Sequence, residues 1–138
     1  MIKPLRWHMP PLFTCMKFAF CPTEEVWEAE REKVKKADTL DIGEYPQTNG
    51  MCVSWRSKGG VLHVLITLDD ELDSDPVELI SVIAHECYHL ACHTLRAASE
   101  EEPGEETVAY LVGDLVKTIW EDYCLTRGKA KFPGVAEK

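Results

Sequence analysis

The stretch ISVIAHECYHLACH, residues 80–93, is apolar along nearly all of its length, yet it carries His85, Glu86, His89 and His93. Its beginning is written just upstream, in DPVE, residues 75–78. Asp75 suits the N-cap, Pro76 the first helical position, and Glu78 completes a capping box. From Leu79 to Leu95 the text reads as one helix of about five turns. Apolar residues lie on almost every side of it, which predicts a buried helix. Ionisable groups on such a helix need a reason. Burying them unpaired costs on the order of several kcal/mol, which a metal or a partner offsets.

The spacing suggests which. His85 and His89 are four residues apart, so on a helix their rings project from one face, one turn apart, and both reach a single metal ion. Glu86 stands beside that axis, placed to take a proton from a metal-bound water without being a ligand. This is the HExxH arrangement, in which zinc acidifies the water and polarises a carbonyl. A lone histidine on an apolar helix is usually a satisfied core residue, and HExxH also arises by chance. Here two histidines share a face, and Glu86, unlike Glu78, has no capping role.

An open catalytic zinc site needs a third protein ligand. The HExxHxxGxxH pattern is excluded, because Leu90, Ala91, Cys92 and His93 follow His89 and no glycine does. A glutamate on the next helix is the other option, and EETVAYLVGDL, residues 105–115, supplies two. Glu106 shares a face with Ala109, Tyr110 and Gly113, whose small members would let the two helices approach closely. Glu105 shares the Val108 and Val112 face. Glu106 is therefore preferred and Glu105 is its competitor, although acids in a first helical turn need no metal. His93 lies two turns from His85 and is a candidate contact to ligands or substrate. His63 and His8 are weaker candidates.

HECYH followed by EETVAY resembles the gluzincin branch of the zincin metallopeptidases in minimal form, and small zincin-like proteins of phages and prophages. The resemblance covers about residues 61 to 120. It implies zinc held by His85, His89 and Glu106, with water activated by Glu86. It also implies a strand ahead of the helix whose edge holds an extended peptide or protein substrate by β-augmentation. VLHVLITL, residues 61–68, suits that role. No residue stands out as the oxyanion stabiliser; His93 and Tyr110 are candidates.

The rest of the chain frames this site. Its 138 residues, 45% hydrophobic and 28% charged, predict one soluble domain over 1–138 with a real core. The net charge of −9 disfavours direct nucleic-acid or anionic-membrane binding. Arg127, Lys129 and Lys131 make only a weak basic group. No apolar run is long enough to span a membrane. Pro10, Pro11 and Lys17 interrupt any signal-peptide core, so a cytoplasmic protein is expected. The 6 cysteines form no CxxC pair, and Cys87 and Cys92 lie within the apolar helix, so reduced core thiols are expected.

Residues 1–22 read as an extended arm or short strand, and Thr23 as the cap of a surface helix with Val26, Trp27 and Val34 on its apolar stripe. Met51 to Arg56 and Val61 to Leu68 read as a hairpin through Gly59 and Gly60. SEEEPGEE, residues 99–106, reads as an acidic loop, and 126–138 as a loose tail pinned by Phe132.

These readings predict an α+β, zincin-like domain, a small antiparallel sheet packed on the HExxH helix and the glutamate-bearing helix. The expected activity is that of a zinc metalloendopeptidase. The alternative is a catalytically inactive zincin-like metal-binding protein acting as an interaction module. A DNA-associated protease module is a third class, which the net charge disfavours.

Overall fold

The computed structural model describes residues 3–11, 16–98 and 102–128. The elements run β1 (Met16–Phe20), α1 (Glu24–Asp38), β2 (Gly50–Arg56), β3 (Leu62–Leu68), a 3-10 turn (Asp70–Ser74), α2 (Pro76–Ala97) and α3 (Glu105–Thr126). They make an α+β fold in three layers. One face of the sheet packs with α1 through Ala19, Leu65 and Trp27. The other packs through Phe18, Phe20, Val64 and Ile66 on α2 residues such as Ile83 and Leu90, and on Leu115 and Ile119 of α3.

The sheet corrects two expectations. It is mixed rather than antiparallel, in the order β1-β3-β2. β2 and β3 form the expected hairpin, closed at Gly60 with φ +83, while β1 pairs parallel with β3, Phe18 opposite Val64. The strand expected at the edge, 61–68, is therefore central. Its residues Val64 to Leu68 are all buried, and a near-continuous apolar run is what burial on both faces demands. The edge next to α2 belongs to β2.

Local signals hold at the helix ends. Thr23 accepts from the Val26 N–H at 3.3 Å, with Glu24 and Glu25 in the first turn of α1 and Lys35 and Lys36 in its last. Of the arm or short strand expected over 1–22, the N-terminal segment takes the strand form. It supplies β1, and His8 exchanges two backbone hydrogen bonds with Phe18. The His8 ring donates to Asp122 Oδ2 at 2.6 Å and Arg6 contacts Oδ1 at 3.0 Å. Asp122 is 3% exposed, so these partners satisfy a buried carboxylate, and His8 has a structural task.

The C-terminal expectation is also corrected. α3 runs to Thr126, and Arg127 turns inward to donate to the carbonyls of Leu68 and Asp69 at 2.6 and 2.8 Å and to Asp73 Oδ1 at 2.7 Å. Its guanidinium also lies over the rings of Tyr123 and Phe20. Five donors in a planar fork can satisfy so many acceptors at once. The remainder of the expected tail, with Phe132, lies outside the described residues, as do Cys15 and Ser99 to Glu101.

Arg127→Ala leaves the Asp73 carboxylate with the Tyr123 hydroxyl, which donates to Oδ1 at 2.8 Å, and removes the side-chain donor from two carbonyls; it should lower the unfolding free energy by about 1–3 kcal/mol in urea titrations. Arg127→Lys should recover only part of that loss.

Candidate functional site

α2 is set in place by its first turn. Asp75 Oδ1 accepts from the Glu78 N–H at 3.2 Å, and Pro76 occupies the start. The reciprocal half of the expected capping box is not made: the Asp75 N–H donates to Leu72 O at 3.0 Å. The carboxylate of Glu78 is thus not used as a cap. The helix buries Leu79, Val82, Ile83, Glu86, Cys87, Leu90 and Ala91. Glu86 lies on that buried face, while His85 and His89 stand on its exposed border.

The two rings converge. His85 Nε2 and His89 Nε2 are 3.2 Å apart, with the ring planes 76° to each other. Two nitrogens bound at about 2.0–2.1 Å to one tetrahedral zinc stand roughly 3.3 Å apart, so the pair fits that donor geometry. A hydrogen bond from one ring to the other accounts for the same spacing. Glu86 Oε1 is 3.9 Å from His85 Nε2. Glu86 is only 5% exposed, whereas the His85 side chain is 68% exposed. Burial raises the Glu86 carboxyl above its ordinary value, and the nearby His89 and His85 partly oppose that shift.

What brings Glu86 here is a residue without a side chain. A Cβ on Gly50 would stand 2.5 Å from Val82 Cγ1 and 3.1 Å from Glu86 Cγ. β2 and α2 therefore touch at Gly50, with Glu86 in the contact. Two shallow grooves meet at this point. One, of about 320 Å³, runs past His85 toward Asn49, Glu78 and Ser81. The other, of about 230 Å³, runs past His89 toward Met51, Cys52 and His93. His93 is half-buried, and its pKa is lowered chiefly by burial and then by Arg96 and His89. Cys52 and Cys87 are free thiols pushed up to about 12, chiefly by burial.

The rim beside the grooves is the outer edge of β2, which pairs with no strand among the described residues. Asp69 N–H donates to Asn49 O and Ser57 N–H to Val61 O. The alternation of an antiparallel ladder then turns the backbone groups of Met51, Val53 and Trp55 toward β3 and those of Cys52 and Ser54 outward.

The other candidates are placed differently. Glu105 and Glu106 are both exposed in the first turn of α3. Among the described residues, no group of three or more His, Cys, Asp or Glu side chains is arranged to hold a metal ion. The expected close approach through Ala109 and Gly113 is corrected. Both are exposed, Gly113 has nothing within 4 Å of its would-be Cβ, and Tyr110 is 77% exposed. α3 instead packs through Leu111, Leu115 and Ile119, whose larger apolar area dominates burial. His63 stacks on Trp55 at 5.3 Å and packs edge-on against Trp7, and those tryptophans belong to the α1 layer. The close approach at Gly50 and the place of Glu78 on a groove wall are not visible in the sequence; a glycine opening a strand is the only trace of the first.

Comparison with protein-family models, curated proteins and solved structures yields no match.

Gly50→Ala should cost about 1–3 kcal/mol in denaturant unfolding, the usual range for overpacking. Adding Val82→Ala removes the nearest clash. The double variant should therefore be more stable than the two single losses summed, and strict additivity would contradict the contact.

Proposed function

We propose that the protein is a zinc-dependent endopeptidase on a minimal zincin-like scaffold. The observation that carries this reading is the convergence of His85 and His89 beside a buried carboxylate, Glu86, at the floor of two grooves. In this reading the two Nε2 atoms hold the ion, and Glu106 is the third donor with Glu105 as competitor. Neither glutamate joins the pair among the described residues, so ligation by either requires a rearrangement at the start of α3. Zinc, when bound, supplies Lewis acidity toward a water and a substrate carbonyl.

The chain's own residues do the rest. Glu86 accepts a proton at its carboxylate and returns it to the leaving amine. Its burial against Gly50 limits the orientations of that carboxylate. An extended peptide pairs with the outward N–H and C=O groups of Cys52 and Ser54, which moves the substrate edge from the expected 61–68 to β2. His93 flanks the second groove as the nearest candidate to stabilise an oxyanion. The free thiols suit a reducing compartment, so a cytoplasmic location belongs to the proposal. Among the described residues no helix is long and apolar enough to cross a membrane, and the net charge of −9 argues against nucleic acid as a direct partner.

The arrangement of only two donors favours one second reading, a catalytically inactive zincin-like protein whose grooves bind a partner. Glu86→Gln separates the two. It is nearly isosteric, so fold and zinc content should persist, while cleavage of an unstructured protein should fall about 10²- to 10⁴-fold. Wild type that holds zinc and cleaves no peptide or protein across a broad panel at neutral pH would leave only the second reading. Glu106→Ala should weaken zinc binding more than Glu105→Ala; the reverse order would hand the third position to Glu105.

A further inference from the structure

The groove on the His85 side differs in chemistry from the one on the His89 side. Its ionisable side chains are Glu78, His85 and Glu86, its polar ones Thr48, Asn49 and Ser81, and neither lysine nor arginine lines it. Glu78 would be consumed by its capping box if the box closed, but the Asp75 N–H is already bonded to Leu72 O. The Glu78 carboxylate forms no ion pair among the described residues. It is exposed, less than three helical turns along the same helix from the buried Glu86. The opposite groove presents Met51, Cys52 and His93 instead.

We infer that the His85-side groove is a specificity subsite for a basic side chain, lysine or arginine, of an extended peptide, and that Glu78 is the residue that selects it. This rests on the proposed peptidase reading. A peptide paired along the outer edge of β2 passes Gly50, and its side chains that point toward α2 fall on either side of Glu86. The one on the Asn49 side meets Glu78, with the Thr48, Asn49 and Ser81 polar groups positioned to solvate the cationic head. Gly50 has no side chain to block that path. The net charge of −9 draws cationic peptides toward the molecule as a whole, whereas Glu78 would fix where along the peptide the charge sits.

The test reads binding and cleavage separately. Zinc-loaded Glu86→Gln protein is titrated with labelled unstructured peptides that differ at one position, lysine, norleucine or aspartate, scanned along the peptide. At one register the lysine peptide should bind about five-fold more tightly than the norleucine peptide, the scale of a single partly exposed ion pair. Adding Glu78→Gln should bring that ratio to about one, and adding Glu78→Lys should invert it in favour of aspartate, which a merely structural role would not do. Mass-spectrometric mapping of wild-type cleavage of a denatured protein should show lysine or arginine at one fixed offset from the cut bond. Equal binding of lysine and norleucine peptides at every register overturns the subsite, as does a preference that survives Glu78→Lys. Cleavage without a basic offset overturns the subsite while leaving the peptidase reading intact. Equal cleavage by wild type and Glu86→Gln overturns the peptidase reading, and the binding ratios then decide the subsite alone.

Discussion

Helix α2 can lie against β2 with Glu86 in the contact only because Gly50 carries no side chain. A Cβ there would stand 2.5 Å from Val82 Cγ1, closer than a packed core tolerates, and 3.1 Å from Glu86 Cγ, a tight contact. The consequences spread from this point. With β2 held against the helix, Glu86 is buried on one side and faces groove space on the other. His85 and His89 are left on the border between core and solvent, where their rings converge. Among the described residues the Glu86 carboxylate meets no hydrogen-bond donor and opens onto the grooves, and burial of the rest of the side chain raises its pKa.

The rest of the fold braces that contact from a distance. Central β3 carries β2 on one side and β1 on the other. The N-terminal arm reaches α3 through His8, Arg6 and the buried Asp122. At the other end of the chain, Arg127 ties α3 to the carbonyls that follow β3. Both are charge-assisted bonds with little exposure of the carboxylate or guanidinium, so each would be costly to break. They tie the arm and the end of β3 to α3, and among the described residues no strand pairs with the outer edge of β2.

Much of this was legible in the sequence where the signal is local. The capping of α1 by Thr23, the start of α2 at Asp75 and Pro76, the hairpin through Gly59 and Gly60, and the one-turn spacing of His85 and His89 all depend on neighbours within a few residues. What was not legible depends on distant partners. MKFAF and VLHVLITL pair across more than forty residues of intervening chain, and without that pairing β3 reads as an edge strand. The phase of α3 was misread because small residues at Ala109 and Gly113 suggested close approach, whereas Leu111, Leu115 and Ile119 had more area to bury. Arg127 looked like part of a basic tail because its acceptors, Leu68, Asp69 and Asp73, lie more than fifty residues upstream. The preference for Glu106 over Glu105 rested on the same small-residue face, which the structure leaves exposed.

The central claim is that the paired imidazoles of α2 are a zinc site. Its most direct measurement is the zinc content, by elemental mass spectrometry, of purified wild type and of the His85→Ala/His89→Ala double variant, both shown by circular dichroism to be folded. The account predicts about one zinc per chain in wild type and none retained by the double variant. Stoichiometric zinc persisting in the folded double variant, or a folded wild type that binds none at micromolar zinc, would contradict it.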